Sequence, residues 1–161
     1  MSRMKRNRIL NLSLLTVLAA AIGIVAFSIV RQSRQWELTR ASAAGDLAGV
    51  RRCVEAGVSI DAEPASEAGN GSPALVVAAW NGHDEVILYL LDHGANINRR
   101  DSCGNTALNA AVIGKHFSTV QLLLTRGANP NIPGEGIPLH IARERNDIKM
   151  TELLKSYGAA E

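Results

Sequence analysis

Aromatic residues are scarce in this sequence: Phe, Trp and Tyr make up 4% of 161 residues, although 47% of the chain is hydrophobic. The core must therefore be built from Leu, Ile, Val and Ala. Small aliphatic side chains suit closely stacked helices better than a wide, aromatic-filled sandwich. Cysteine is equally scarce. Cys53 and Cys103 cannot make a disulfide framework, and no CxxC pair offers a zinc site. Two cysteines do not settle the redox compartment. A Ser-His-Asp pattern and a phosphate-binding glycine loop are also missing. Gly69-Asn70-Gly71 looks like part of such a loop, but no strand precedes it, so it reads as a turn. No catalytic residue, cofactor site or metal site is expected, and no small-molecule substrate.

Charge is nearly balanced, with a formal net charge of +2. The basic residues are unevenly placed. Arg3, Lys5, Arg6 and Arg8 crowd the N-terminus, and Arg31, Arg34 and Arg40 follow an apolar stretch. That distribution reads as the two flanks of a membrane segment, not as a nucleic-acid footprint. Between the flanks, residues Ile9 to Val30 carry no charge. As a helix this run of about 22 residues is about 33 Å long, which matches a hydrocarbon core of about 30 Å. Two readings compete. A cleaved signal peptide would use Ala19, Ala20 and Ala21 as its small residues, giving a soluble secreted or periplasmic chain. An uncleaved signal anchor fits the length better, because an ordinary signal core is about 7–15 residues. The predicted organisation is a basic flank over 1–8, a transmembrane signal anchor over 9–30 and a linker over 31–37. The heavier basic flank favours a cytoplasmic N-terminus, with the rest of the chain extracytoplasmic. In a Gram-negative cell that would be the periplasm.

The remainder repeats. Ala78-Ala79-Trp80-Asn81-Gly82-His83 pairs with Ala111-Val112-Ile113-Gly114-Lys115-His116 at an offset of 33 residues. The same offset carries Leu90-Leu91 to Leu123-Leu124, Gly94-Ala95-Asn96 to Gly127-Ala128-Asn129, and Asn98 to Asn131. An upstream copy, with Ala41, Gly45, Asp46, Val50, Cys53 and Gly57, matches at an offset of 37; its extra residues fall in the connection within Asp61 to Ser72. A downstream copy, Pro138-Leu139-His140-Ile141-Ala142 with Leu154, Gly158 and Ala159, matches at 31.

On these residues the chain resembles the ankyrin repeat family, whose period is 33 and whose units open on a T-P-L-H-x-A type pattern. The openings here are Ser-Pro-Ala-Leu-Val-Val-Ala-Ala, Asn-Thr-Ala-Leu-Asn-Ala-Ala and Ile-Pro-Leu-His-Ile-Ala. The resemblance implies an all-α solenoid with repeats at about 38–61, 71–98, 104–131 and 136–160. Each unit would be two antiparallel helices and a projecting loop. In the second unit the first helix should run from Pro73 to Gly82 and the second from Asp84 to His93. Val86, Ile87, Leu90 and Leu91 then share one face, and Gly94 ends the helix. Arg143 and Lys155 stand where inner units have Val112 or Ala79 and Leu124 or Leu91. They mark the last unit as a polar cap.

The resemblance implies structural histidines. His83 and His116 would bond the backbone of the neighbouring unit, and His140 holds the histidine place of the opening pattern. One repeat, about 10 Å, separates His83 from His116, too far for a shared metal. Cys53 matches the Leu90 position and should be buried, while Cys103 lies in a loop. Family members bind protein partners through loop tips and the exposed face of the first helices. Here those helix positions are Trp80, Asn81, Ile113, Gly114, Glu144 and Arg145. The loop positions are Asn70, Ser72, Arg100, Ser102, Cys103 and Asn105. Trp80 either joins Ile113 in an apolar contact patch or packs under the long loop. The expected function is a membrane-tethered protein-binding module.

Overall fold

The computed structural model describes residues 3–64 and 71–160, with side chains described from position 17 onward except at 18 and 29. Asn70, and the side chains of the basic flank, lie outside the described set. The described residues are all-helical: α1 Arg3–Ala44, α2 Leu47–Glu55, α3 Ala74–Asn81, α4 Asp84–Asp92, α5 Ala107–Ile113, α6 Phe117–Thr125, α7 Pro138–Glu144 and α8 Ile148–Ser156. No strand occurs among them.

The chain divides into two compact units, residues 1–33 and 34–161. In the first, the described apolar side chains Val17, Ile22, Ile24, Val25, Phe27 and Val30 are all exposed. Among the described residues, no helix is long and apolar enough to cross a membrane. The side chains of 9–16, which belong to the expected anchor, lie outside the described set. Residues 31–37, read above as a linker, are helical.

The second unit of the chain is the repeat stack. Its inner layer packs α3 on α5 and α5 on α7, and its outer layer packs α2 on α4 and α4 on α6. Alanines let the inner helices approach: Ala74, Ala78, Ala79, Ala107, Ala110 and Ala111 are fully buried. The outer helices supply the bulk. Val50, Val86, Ile87, Leu90, Val120, Leu123 and Leu154 are also fully buried, and one apolar core runs from Leu38 to Leu154. No single helix pair could bury this surface alone, so the units stabilise one another.

Local chemistry fixes the helix ends. Asp46 and Asp147 accept hydrogen bonds from the backbone N–H of Gly49 (2.9 Å) and Met150 (3.0 Å), capping α2 and α8. Thr106 and Asn109 form a capping box at the start of α5. After α4, Gly94 at φ 89° lets the N–H of Ala95 reach the Leu90 carbonyl at 3.0 Å. Gly57, Gly127 and Gly158 repeat that ending.

Candidate functional site

Two ladders of side-chain bonds tie consecutive units together and fix what remains exposed. On the helical-turn side, Nε2 of His83 donates to the Ala43 carbonyl and Nε2 of His116 to the Trp80 carbonyl, both at 2.9 Å. Ala43, Trp80 and Ile113 occupy one repeat position. In the last unit Asp147 replaces the histidine, and the Arg145 guanidinium reaches the Ile113 carbonyl instead. On the loop side, Asp61, Asn98 and Asn131 form the second ladder. Their side-chain oxygens accept from the backbone N–H of Asn96 (3.0 Å), Asn129 (3.0 Å) and Ala160 (2.8 Å).

The first ladder presents the row Trp80, Ile113, Glu144. The Trp80 carbonyl is held by His116, while its indole side chain is 48% exposed. Ile113 is half-buried, and Glu144 and Arg145 are exposed. Asn81 is exposed, its amide donating to the Val77 carbonyl at 2.9 Å. Alanine at Gly114 would place its Cβ 2.7 Å from the Trp80 carbonyl oxygen, so the step between units has no room for a side chain there.

The loop between the second and third units is organised by Asp101. Its carboxylate accepts from the N–H of Cys103 (3.0 Å) and Asn105 (2.7 Å), and from the Ser72 hydroxyl at 3.3 Å. Arg100 and Ser102 are exposed at the tip. Arg100 Nε donates to the Gly104 carbonyl at 2.9 Å, which anchors the guanidinium without neutralising it.

Asn105 behaves differently from the surface residue expected. It is 4% exposed, and its Oδ1 accepts from the Glu135 N–H at 2.8 Å. Its side chain joins neighbouring loops and is not offered to a partner. His140 differs too. It occupies the position of Asn109, whose amide donates to the Gly136 carbonyl of the next unit at 2.8 Å. The last described unit gives His140 no such carbonyl, and the residue is exposed.

Cys53 is buried and free, and Cys103 is exposed and free. Among the described residues, no group of three or more His, Cys, Asp or Glu is placed to hold a metal ion.

One exposed apolar pair went unread in the sequence. Phe117 and Ile148 both open second helices, one repeat apart, and both are exposed. Phe117 borders a groove of about 370 Å³ with Lys149, Glu152, Leu153 and Ser156. The available signal was an apolar residue where the second unit has Asp84.

Comparison with known proteins agrees with this geometry. A family model of ankyrin repeats, in three copies, matches residues 38–134, more than half of the chain. A fowlpox virus ankyrin repeat protein, FPV031, is 42% identical over 96 residues, covering 58% of this chain and 28% of the viral protein. Potassium channel AKT2/3 of Arabidopsis thaliana is 39% identical over 87 residues, 53% of this chain and 11% of the channel. Protein fem-1 homolog A-like of Mus musculus is 35% identical over 86 residues, 53% of this chain and 13% of that protein. The chain thus spans well under two thirds of each relative. The matched residues cover the first three units, and both ladders extend into the fourth, the first through Arg145 in place of a histidine. The chain belongs to the ankyrin repeat family.

Proposed function

We propose that the chain is a protein-binding module that takes its partner on the row of Trp80, Ile113 and Glu144. Asn81 and Arg145 flank that row; Arg100 and Ser102 lie on the loop side, at the other end of α3. The exposed Trp80 indole carries the reading. Nothing in the stack requires a tryptophan there, since the His116 bond goes to its backbone carbonyl. A large aromatic on a rigid surface supplies contact area at little entropic cost, and tryptophan is enriched at binding hot spots. The family's role as an interaction module supports the same reading. No step of it calls for catalysis or a cofactor.

A membrane tether over residues 9–30 belongs to the same proposal. Its support is the uncharged run in the sequence and the exposure of its described apolar side chains. At about 100° per residue, Ile22, Ile24, Val25, Phe27 and Val30 point to all sides of the helix, as a lipid-embedded helix requires. The N-terminus would be cytoplasmic and the repeats extracytoplasmic. A C-terminal reporter active only outside the cytoplasm supports that orientation, and cytoplasmic activity reverses it.

Crosslinking in intact cells through a photoreactive group placed at Trp80 tests the binding face. A discrete protein adduct lost on moving the group to exposed Lys149, on the outer layer, is the expected result. In binding to the partner so identified, Trp80→Ala should cost about 2 kcal/mol with melting nearly unchanged. A large loss of stability without loss of binding would show Trp80 to be a packing residue.

A further inference from the structure

Phe117 and Ile148 open α6 and α8, and both stand open to solvent, at 42% and 71% exposure. Helix stability does not account for them. The same repeat position opens α4 with Asp84, where negative charge suits the helix dipole, and Asp84 also accepts from the Thr119 hydroxyl of the next unit at 2.5 Å. Phe117 forms one wall of the groove of about 370 Å³, and Leu153, Lys149 and Glu152 of α8 line the rest with Ser156. Ile148 stands on the other shoulder of α8, about 140° around the helix from Leu153, with Glu152 one turn away between them. Met150 and Leu154 are buried on the far side of the same helix. Lys149 and Glu152 are exposed, and neither enters an ion pair among the described residues.

We propose that this face binds the same face of a second copy of the chain across a two-fold axis. A protruding apolar side chain, an apolar groove, a cation and an anion lie together on one surface. A two-fold contact needs that combination, because each copy must offer both halves of every contact. Ile148 of each copy enters the other's groove between Phe117 and Leu153, and Lys149 of each meets the other's Glu152. A strongly acidic or strongly basic partner would set one of these two side chains against a like charge, which a closed contact does not tolerate cheaply. A purely apolar segment would fill the groove and leave both charges without a partner. The face of a second copy satisfies the groove and the two charges at once. The contact lies on the outer layer, whereas Trp80 and Ile113 belong to the inner helices. Each copy therefore keeps its inner row free, and the dimer presents two such rows. The inference depends neither on what that row binds nor on the tether.

Sedimentation equilibrium of the full chain in density-matched detergent tests the pairing, with detergent in excess so that chains do not share micelles by chance. Lys149→Glu leaves two carboxylates on the face, and Glu152→Lys leaves two cations. Each reversal alone should weaken dimerisation about tenfold or more, while helicity and melting stay unchanged. An equimolar mixture of the two variants should recover the dimer at a concentration where each alone is monomeric. The double variant, Lys149→Glu with Glu152→Lys, should dimerise as the unsubstituted chain does. Ile148→Ser should weaken the dimer with both charges in place. A chain that is monomeric at about 0.1 mM overturns the proposal. A dimer that neither reversal weakens overturns it as well, since its contact then lies elsewhere, residues 9–30 included. A mixture that associates no more tightly than its components removes the reciprocal pairing, and the proposal with it.

Discussion

The inner and outer repeat units solve the turn between their two helices differently. Asp46, His83, His116 and Asp147 occupy one repeat position, just before the second helix of each unit. In the outer units the aspartate caps its own helix, through Gly49 and Met150. In the inner units the histidine makes no side-chain cap and reaches back to the preceding unit's carbonyl. The fourth unit keeps the cap and assigns the reach to Arg145. A unit's residue is therefore set partly by its neighbour. Gly45 and Gly82 have φ near 70°, and a Cβ on either would press on the ring of the next unit's histidine, at 2.8 and 2.5 Å. Lys115 and Asn146 hold the same position with φ 61° and 54°. The unit after Lys115 carries Asp147, so no histidine ring lies there to exclude a side chain.

The largest test of this contrast is a cavity in the middle of the stack against one at its end. Cys53, Leu90, Leu123 and Leu154 share one core position, and both Leu123 and Leu154 are fully buried. Leu123→Ala should cost about 2–5 kcal/mol. Because units lie on both sides, Trp80 fluorescence, read in a Trp36→Phe background, and far-ultraviolet dichroism should fall together in urea. Leu154→Ala carries a similar local cost, but among the described residues a neighbouring unit lies on one side only. Its dichroism should begin to fall before the Trp80 signal does. Coincident transitions in that variant would mean that the fourth unit is as firmly held as the third.

A smaller effect of opposite sign sharpens the glycine argument. Gly82→Ala meets both a left-handed backbone and the His116 ring, and should cost about 2–3 kcal/mol. Lys115→Gly relieves a left-handed non-glycine residue and should stabilise by about 0.5–1 kcal/mol. Chemical denaturation of the two variants reads both signs. A loss in Lys115→Gly as well would mean that the left-handed backbone angle does not set the choice of residue at this position.

Much of this was legible beforehand, for a physical reason. A period of 33 residues records a unit that must bury the same face each time, so Leu90, Leu123 and their partners repeat visibly. Gly94 and Gly127 were readable because a helix end needs φ above zero whatever surrounds it. The histidine bonds to neighbouring units followed from the family resemblance, not from the spacing. The fate of Asn105 was not readable: its partner is the backbone N–H of Glu135, 30 residues on, and a backbone group leaves no mark on sequence pattern. Arg145 was legible as surface but not as the substitute for a missing histidine. Trp36 lacked a signal, and that of Phe117 was weak, for the opposite reason. Each stands outside the repeated apolar positions, and period alone does not distinguish an exposed aromatic from a packed one.

Removing one turn interaction at a time gives the next effect. His116→Ala deletes a bond to the Trp80 carbonyl and should cost about 1–1.5 kcal/mol. Asp147→Ala deletes an N-cap and should cost about 1 kcal/mol. His116→Asp exchanges one device for the other. It should recover most of the alanine loss if the two are equivalent in energy, and little of it if coupling between units dominates. Urea midpoints of the three variants decide between these.

The smallest effect separates the first unit from the rest at the shared core position. There Cys53 stands in place of leucine, the one ionisable side chain among the four. Burial pushes its thiol above the ordinary thiol range; Glu37 adds to the rise, and Arg52 and Arg34 oppose it. A group with a raised folded-state pKa favours the folded protein while it stays protonated in both states. Its contribution is full below about pH 9 and is lost as pH climbs, because the unfolded thiol ionises first. The urea midpoint should therefore drop more between pH 8 and 10 in the unsubstituted protein than in Cys53→Val. Tyrosine and lysine titrations affect both proteins alike, so the difference between the two slopes isolates the thiol. Leucine at the other three positions cannot ionise, so this alkaline weakness belongs to the first unit. A disulfide reagent should accordingly react fast with Cys103 and, as pH rises, reach Cys53 through opening of that unit before global unfolding.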